Sequence, residues 1–171
     1  MRCSRQATRE MPPELHAGEP AEVSGQAAHF RALEALYTAA PVNKMFASRL
    51  HILSEGVSRI EFSIDETVHH AAGAAHGTIY FKMLDDAAFY AANSLVTDRF
   101  LLTTAFNLYL TKPIKAGPVV AEGRWVSGRR RVLVADARLI DAEGEECGRG
   151  TGTFMRSHIA LAGLPGYRSR Q

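Results

Sequence analysis

The sequence predicts an α+β fold in which one antiparallel sheet curls around a long buried helix. Two observations carry this. Residues 79–94 are apolar almost all round, with Ile79, Tyr80, Phe81, Met83, Leu84 and the run from Ala87 to Ala92. A helix tolerates that composition only when most of its faces are covered. On both sides of it, shorter runs alternate apolar and polar residues with a period of two, the mark of half-buried strands. The economical packing lays one such sheet around the apolar helix.

Taken in chain order, residues 1–25 are rich in Pro, Glu, Ala and Arg and poor in large apolar residues, so a disordered tail is expected there, with Met11 an alternative start. A single domain is expected over 26–160 and a C-terminal tail over 161–171. From His29 to Thr38 the apolar residues Phe30, Leu33, Leu36 and Tyr37 have helical spacing, and Pro41 stops the helix. Residues 46–55 and 57–66 alternate on either side of Gly56 and read as a hairpin; Ile60, Phe62 and Ile64 oppose Arg59, Glu61, Ser63 and Asp65. Residues 68–78 have no period and hold His69, His70 and His76. After the long helix, strands are expected at 101–111, 119–126, 131–141 and 147–156. Lys112-Pro113, Gly117-Pro118, Ser127-Gly128 and Gly144 punctuate them. The last strand is unusually rich in Gly and Thr. A curved sheet covers only part of an all-apolar helix, so a second subunit or an added helix is expected to cover the rest.

Composition narrows the function. The 171 residues suit one domain with a sizeable core, and 46% hydrophobic with 22% charged residues is ordinary for a globular protein. A net charge of +2 argues against nucleic acid or an anionic membrane as the main partner. Cys3 and Cys147 make no disulfide framework, no apolar run reaches membrane-spanning length, and the N-terminus lacks a secretory pattern, so a cytoplasmic setting is the default expectation. Neither a serine-nucleophile elbow nor a nucleotide-binding loop is present.

Two neighbouring acids, Asp85 and Asp86, sit on the apolar helix about 100° apart. Asp86 shares its sector with Lys82, a plausible ion partner, whereas Asp85 lies among Phe81, Ala88, Phe89 and Ala92. Apolar surroundings raise a carboxylate's pKa, and an idle buried acid is costly. Asp85 is therefore the candidate for chemistry, against the plainer reading of a partly solvated helix residue. His76-Gly77-Thr78 opens the helix, where unpaired amides attract developing negative charge and glycine admits close approach. Equally, Gly77 eases the helix start. Gly77 and Asp85 are about 12 Å apart along one axis. They cannot flank one carbonyl, so the matching acid must come from a facing helix. The three histidines have poor spacing for zinc, and no metal or other cofactor is expected; an orienting role for His70 or His76 and a packing role both fit. Arg129 and Arg130 suit coenzyme A phosphates or a solvated turn. Phe81 is a candidate pocket-lining ring or a core residue.

Over residues 42–156 the chain resembles the PaaI-like branch of the hotdog-fold acyl-CoA thioesterases. The residues that carry this are His70-Ala-Ala-Gly73-Ala-Ala-His76-Gly77-Thr78, then Leu84-Asp85-Asp86-Ala87, then the strand from Leu102 through Asn107 to Pro113. The resemblance implies a hotdog fold, hydrolysis of acyl-CoA, Asp85 as general base or nucleophile, and the Gly77 amide polarising the thioester carbonyl. It implies Thr103 as the hydroxyl that positions the attacking water, and a homodimer, or a tetramer of paired dimers, with sites between subunits. Two positions depart from the pattern: His70 stands where the family usually has Asn, and Thr78 replaces the second Gly of a His-Gly-Gly. Two rival functions fit the same chain. An enoyl-thioester hydratase or dehydratase would pair His70 with Asp85, and a non-catalytic module would bind acyl-CoA without turnover.

Overall fold

The computed structural model describes residues 25–167. The expected N-terminal tail, with Cys3 and Met11, lies outside the described residues except for Gly25. Helix α1 (Gly25–Ala39) leads through a 3-10 turn (Pro41–Met45) to the hairpin β1 (Arg49–Ser54) and β2 (Val57–Ile64). Helix α2 (Gly77–Asn93) follows, then β3 (Arg99–Leu110), β4 (Gly117–Ser127), β5 (Val132–Ile140) and β6 (Glu146–Ala160). The strands form one six-stranded sheet in the order β1-β2-β4-β5-β6-β3, antiparallel at every step. Because β3 folds back beside β6, one edge of this 12-residue strand is left without a strand partner among the described residues.

The period-two residues sort as their pattern requires. Ile60, Ala121, Leu133, Ala135 and Phe154 are fully buried against Met83, Leu84, Ala87 and Ala88 of α2. Two close approaches depend on glycine. A Cβ on Gly123 would lie 2.1 Å from the Ala87 carbonyl oxygen, which also accepts the Ser58 hydroxyl at 2.6 Å. The helix thus rests directly on the β2–β4 backbone. On β6, a Cβ on Gly150 or Gly152 would meet the Phe106 ring at 2.3 and 2.6 Å. The Gly-rich strand lets that ring lie against the sheet, where Phe81 meets it edge-on with centroids 5.7 Å apart.

The second half of α2 is buried, but its first half is open on one side: Thr78 and Phe81 are exposed, and Gly77, Lys82, Asp85 and Asp86 are half-buried. Helix α1 supplies part of the cover, with Tyr37 meeting Tyr90 edge-on at 5.4 Å.

The C-terminal segment corrects an expectation. Residues 161–167, read as tail, are docked: Leu161–Gly163 form a 3-10 turn, and Leu161 is fully buried. The Tyr167 hydroxyl meets Nδ1 of buried His29 at 2.6 Å, while His29 Nε2 meets the Asn93 carbonyl at 3.1 Å. A carbonyl only accepts, so Nε2 carries the proton and Nδ1 accepts from Tyr167. One buried ring thereby ties the C-terminus and α1 to the end of α2. Residues 168–171 lie outside the described residues.

Candidate active site

The loop before α2 is closed by its own backbone. His70 N–H donates to Ala74 O, Gly73 N–H donates to His70 O, and Gly73 has φ +76°, which glycine adopts freely. The three histidines serve three separate contacts. His69 Nε2 meets Lys115 O at 2.6 Å, His70 Nδ1 accepts from Ala72 N–H at 3.1 Å, and His76 Nδ1 accepts from Thr78 N–H at 3.2 Å. His76 is the N-cap of α2 and also meets the Thr78 hydroxyl at 2.9 Å. This satisfies one first-turn amide and leaves another: among the described residues the Gly77 amide has no hydrogen-bond partner. Gly77 is only partly exposed, and this free donor sits where the helix dipole favours negative charge.

Two turns along α2, the neighbouring acids part company. Asp86 is ion-paired with Lys82, whose Nζ also donates to Asn43 Oδ1 at 2.6 Å. Asp85 has no ion-pair partner among the described residues. The Thr103 hydroxyl on β3 donates to its Oδ1 at 3.0 Å, with Oδ2 at 3.4 Å. Burial pushes the Asp85 carboxyl up to about 6; the Thr103 hydrogen bond opposes this, the Asp86 charge adds to it, and Lys82 opposes it. Burial also raises Asp86, against the Lys82 charge and hydrogen bond. Of the pair, Asp85 combines a carboxyl raised to about 6 with no ion-pair partner among the described residues.

Asp85 and Thr103 line a cavity of about 270 Å³ between α2, the start of β3 and the 3-10 turn after α1. The rest of the lining joins Asp86 and Asn43 to the apolar and aromatic Phe89, Tyr90, Phe100 and Leu102. A larger cavity of about 530 Å³ lies on the opposite face of the sheet, lined by charged side chains such as Arg124, Asp136, Arg138 and Arg149. It holds none of the candidate residues.

The structure thus brings Asp85 and Thr103 together and groups His76, Gly77 and Thr78 at the helix mouth. It does not bring the two groups together within one chain. Phe81 lies between them along α2, 42% exposed. His70 makes no hydrogen bond to another candidate among the described residues. Arg129 pairs with Glu55 at 3.0 Å and lies over the Trp125 ring at 4.8 Å, and Arg130 is exposed beside it. Both are in the β4–β5 turn, near Gly56, whose amide donates to Ser94 at the far end of α2 from Gly77. The residues of the cavity wall after α1, Ala40, Val42 and Asn43, were not legible in the sequence: nothing in their spacing announces a contact with α2.

A family model described as the thioesterase superfamily matches residues 72–148, a span that holds Gly77, Asp85 and Thr103. An esterase-named curated protein of Saccharolobus solfataricus is 30% identical over 103 residues, 60% of this chain and 69% of that protein. The chain belongs to the thioesterase superfamily. Solved structures agree on the fold. The Escherichia coli PaaI protein from the phenylacetic acid degradation operon superposes with a TM-score of 0.73 at 17% identity, covering 80% of this chain and 99% of its own. A thioesterase family protein from Silicibacter pomeroyi gives 0.69 at 26% identity, covering 77% and 98%. The six-stranded sheet around α2 is the hotdog fold, and in this thioesterase-superfamily member no described helix is long and apolar enough to cross a membrane.

Proposed function

We propose that this protein hydrolyses acyl-CoA thioesters to free acid and coenzyme A in the cytoplasm, and that Asp85 is the carboxylate that drives the reaction. The observation that carries the reading is Asp85 itself: a carboxyl with no ion-pair partner among the described residues, held by the Thr103 hydroxyl in the lining of a largely apolar cavity. The thioester carbonyl oxygen accepts from the free Gly77 amide at a helix N-terminus, which stabilises the charge that develops there. Asp85 takes a proton from water as the water oxygen bonds to the carbonyl carbon, and Thr103 helps hold that water. The tetrahedral intermediate then breaks its C–S bond, and the thiolate takes the proton back from Asp85. In a second route Asp85 attacks the carbonyl carbon directly, the C–S bond breaks and coenzyme A leaves as its thiolate, and water opens the mixed anhydride to the free acid and the Asp85 carboxylate, its spare proton passing to the thiolate.

Gly77 and Asp85 of one chain are two turns apart, so each site uses the amide of one subunit and the acid of another. The unpaired edge of β3 supports the assembly. A long strand with free backbone groups is a template for a second copy, and a two-fold antiparallel pairing would carry the open side of α2 toward its counterpart. His76 and Thr78 shape the carbonyl end, Phe81 flanks it, and exposed Arg130 is better placed than ion-paired Arg129 to meet phosphates.

Thiol release from a panel of short, medium, long and aryl acyl-CoAs tests the reading. Release from at least one class is expected. Loss of the enoyl absorbance of an enoyl-CoA without thiol release would instead establish a hydratase, and tight acyl-CoA binding without turnover a binding module.

A further inference from the structure

Lys82 has two acids within reach on its own helix, Asp85 three residues on and Asp86 four, and side chains at both spacings meet. Among the described residues its ion pair is with Asp86. The choice is made by a part of the chain remote from the motif. Lys82 Nζ donates to Oδ1 of Asn43, on the 3-10 turn Pro41–Met45, at 2.6 Å, and Asn43 Nδ2 donates in turn to the Tyr37 carbonyl at 2.7 Å. The rings of Tyr37 and Phe46 flank the ammonium, 5.5 and 5.6 Å from its nitrogen. Asn43 is buried, and the side chains of Lys82 and Asp86 are only 17% and 20% exposed. Two oxygens and two rings therefore hold the charge in one place.

The proposed chemistry needs Asp85 as a base, and two other arrangements of these three charges would spoil it. An ammonium paired directly with Asp85 would favour the carboxylate and weaken it as a base. No ammonium at all would leave two carboxyls in the lining of one cavity, and neighbouring like charges hold a proton between them. The observed arrangement avoids both. Burial is the main cause that raises Asp85; of the two charges beside it, Asp86 raises it and Lys82 lowers it, so the pair largely cancels. The other groups around the carboxyl bring no charge. Tyr90 lines the cavity and Tyr37 flanks the ammonium, and burial raises both phenols, which keeps them neutral. On β3, Thr103 offers a hydroxyl and Arg99 is exposed beside Asp98; on the 3-10 turn, Lys44 is exposed.

We propose that Lys82 and Asp86 are positioning residues for the hydrolysis: Asn43 and the two rings steer the Lys82 ammonium onto Asp86, which cancels the second carboxylate and leaves Asp85 to act as the base. The proposal rests on the thioesterase reading above and adds the residues that keep its base in working form.

The test is the pH profile of kcat/KM for thiol release in the wild type, Asp86→Asn, Lys82→Met and the double variant, with thermal melts to confirm folding and the Asp85 carboxyl followed in parallel by 13C NMR. Asp86→Asn leaves the ammonium uncancelled, so the acid limb should move to lower pH by about half a unit or more. Lys82→Met leaves Asp86 uncancelled, so the limb should move up by about as much. The double variant removes both charges and should return to within about 0.2 unit of the wild type. The carboxyl signal should move with the limb. A bridge that only braces the fold would lower the melting temperature and leave the limb in place. Lys82→Met strands a buried carboxylate, and if it fails to fold the other two variants decide. A folded Asp86→Asn whose limb stays put or rises overturns the proposal. So does a double variant that keeps the Asp86→Asn limb, because the shift then owes nothing to the ammonium; the thioesterase reading survives both results. No thiol release from any acyl-CoA overturns that reading, and this proposal with it.

Discussion

The Thr103 hydroxyl on β3 donates to Asp85 Oδ1 on α2 at 3.0 Å, and it is the one direct hydrogen bond to that carboxylate among the described residues. It joins the edge strand to the buried helix at the point where the helix face opens. It also tunes the acid: burial favours the neutral carboxyl, and the hydroxyl favours the charged one. Asp85 is therefore deprotonated at neutral pH yet basic enough to accept a proton from water.

Activity should rise with pH through about 6, the value to which burial pushes Asp85, because only the carboxylate is a base. Thr103→Val removes the bond that favours the charged form, so the acid limb of the kcat/KM profile should move to higher pH. An unmoved limb in a folded Thr103→Val protein would separate Thr103 from the titrating group.

Stability carries the opposite sign. The folded-state pKa of Asp85 is raised above its ordinary 3.8, so the folded state holds a proton that the unfolded state releases. That contribution is complete below about pH 4 and is lost as pH rises through about 6. Asp85→Asn, which mimics the neutral acid, should therefore raise the melting temperature at pH 7 to 8 and leave it nearly unchanged at pH 4. Melting curves at the two pH values check this; a variant destabilised at pH 7 would show that the charge is better accommodated than its setting implies.

Gly123→Ala should destabilise the fold by about 3 kcal/mol or more, the upper end of overpacking effects. The added Cβ would fall 2.1 Å from the Ala87 carbonyl oxygen, backbone that cannot step aside without lifting α2 from the sheet. Urea unfolding measures the loss.

Tyr167→Phe leaves Nδ1 of buried His29 without a donor and should cost about 1–2 kcal/mol. A melting temperature equal to that of the wild type would mean that water replaces the phenol.

Much of the fold was legible because it rests on local periodicity. The all-apolar run with Asp85 in it is the observed α2, and the alternating runs are the observed strands to within a few residues. The Lys82–Asp86 pair was legible from helical spacing alone. What the sequence hid depends on contacts between distant segments. The glycines of β6 read only as an odd composition until the Phe106 ring is seen lying on them. The docking of Tyr167 turns on His29, 138 residues earlier, and the cavity wall on Asn43 meeting Lys82, 39 residues later. No short-range pattern encodes such pairs. The His76 Nδ1 cap on the helix is a role that histidine seldom advertises.

The claim that an acid and an amide from different subunits make one site is tested most directly by mixing two disabled chains. Asp85→Asn removes the base. Gly77→Pro removes the amide at the first helical position, where proline is tolerated, and His76 before it already has the extended backbone (φ −66°, ψ 143°) that proline requires. Each variant alone should lose at least a hundredfold in thiol release from its best acyl-CoA. Refolded together in equal amounts, half the dimers pair one of each, and each of these holds one intact site. Activity should therefore return to about a quarter of the wild-type value. Mixed dimers that form, as mass spectrometry would show, and remain as inactive as their parents would contradict the shared site.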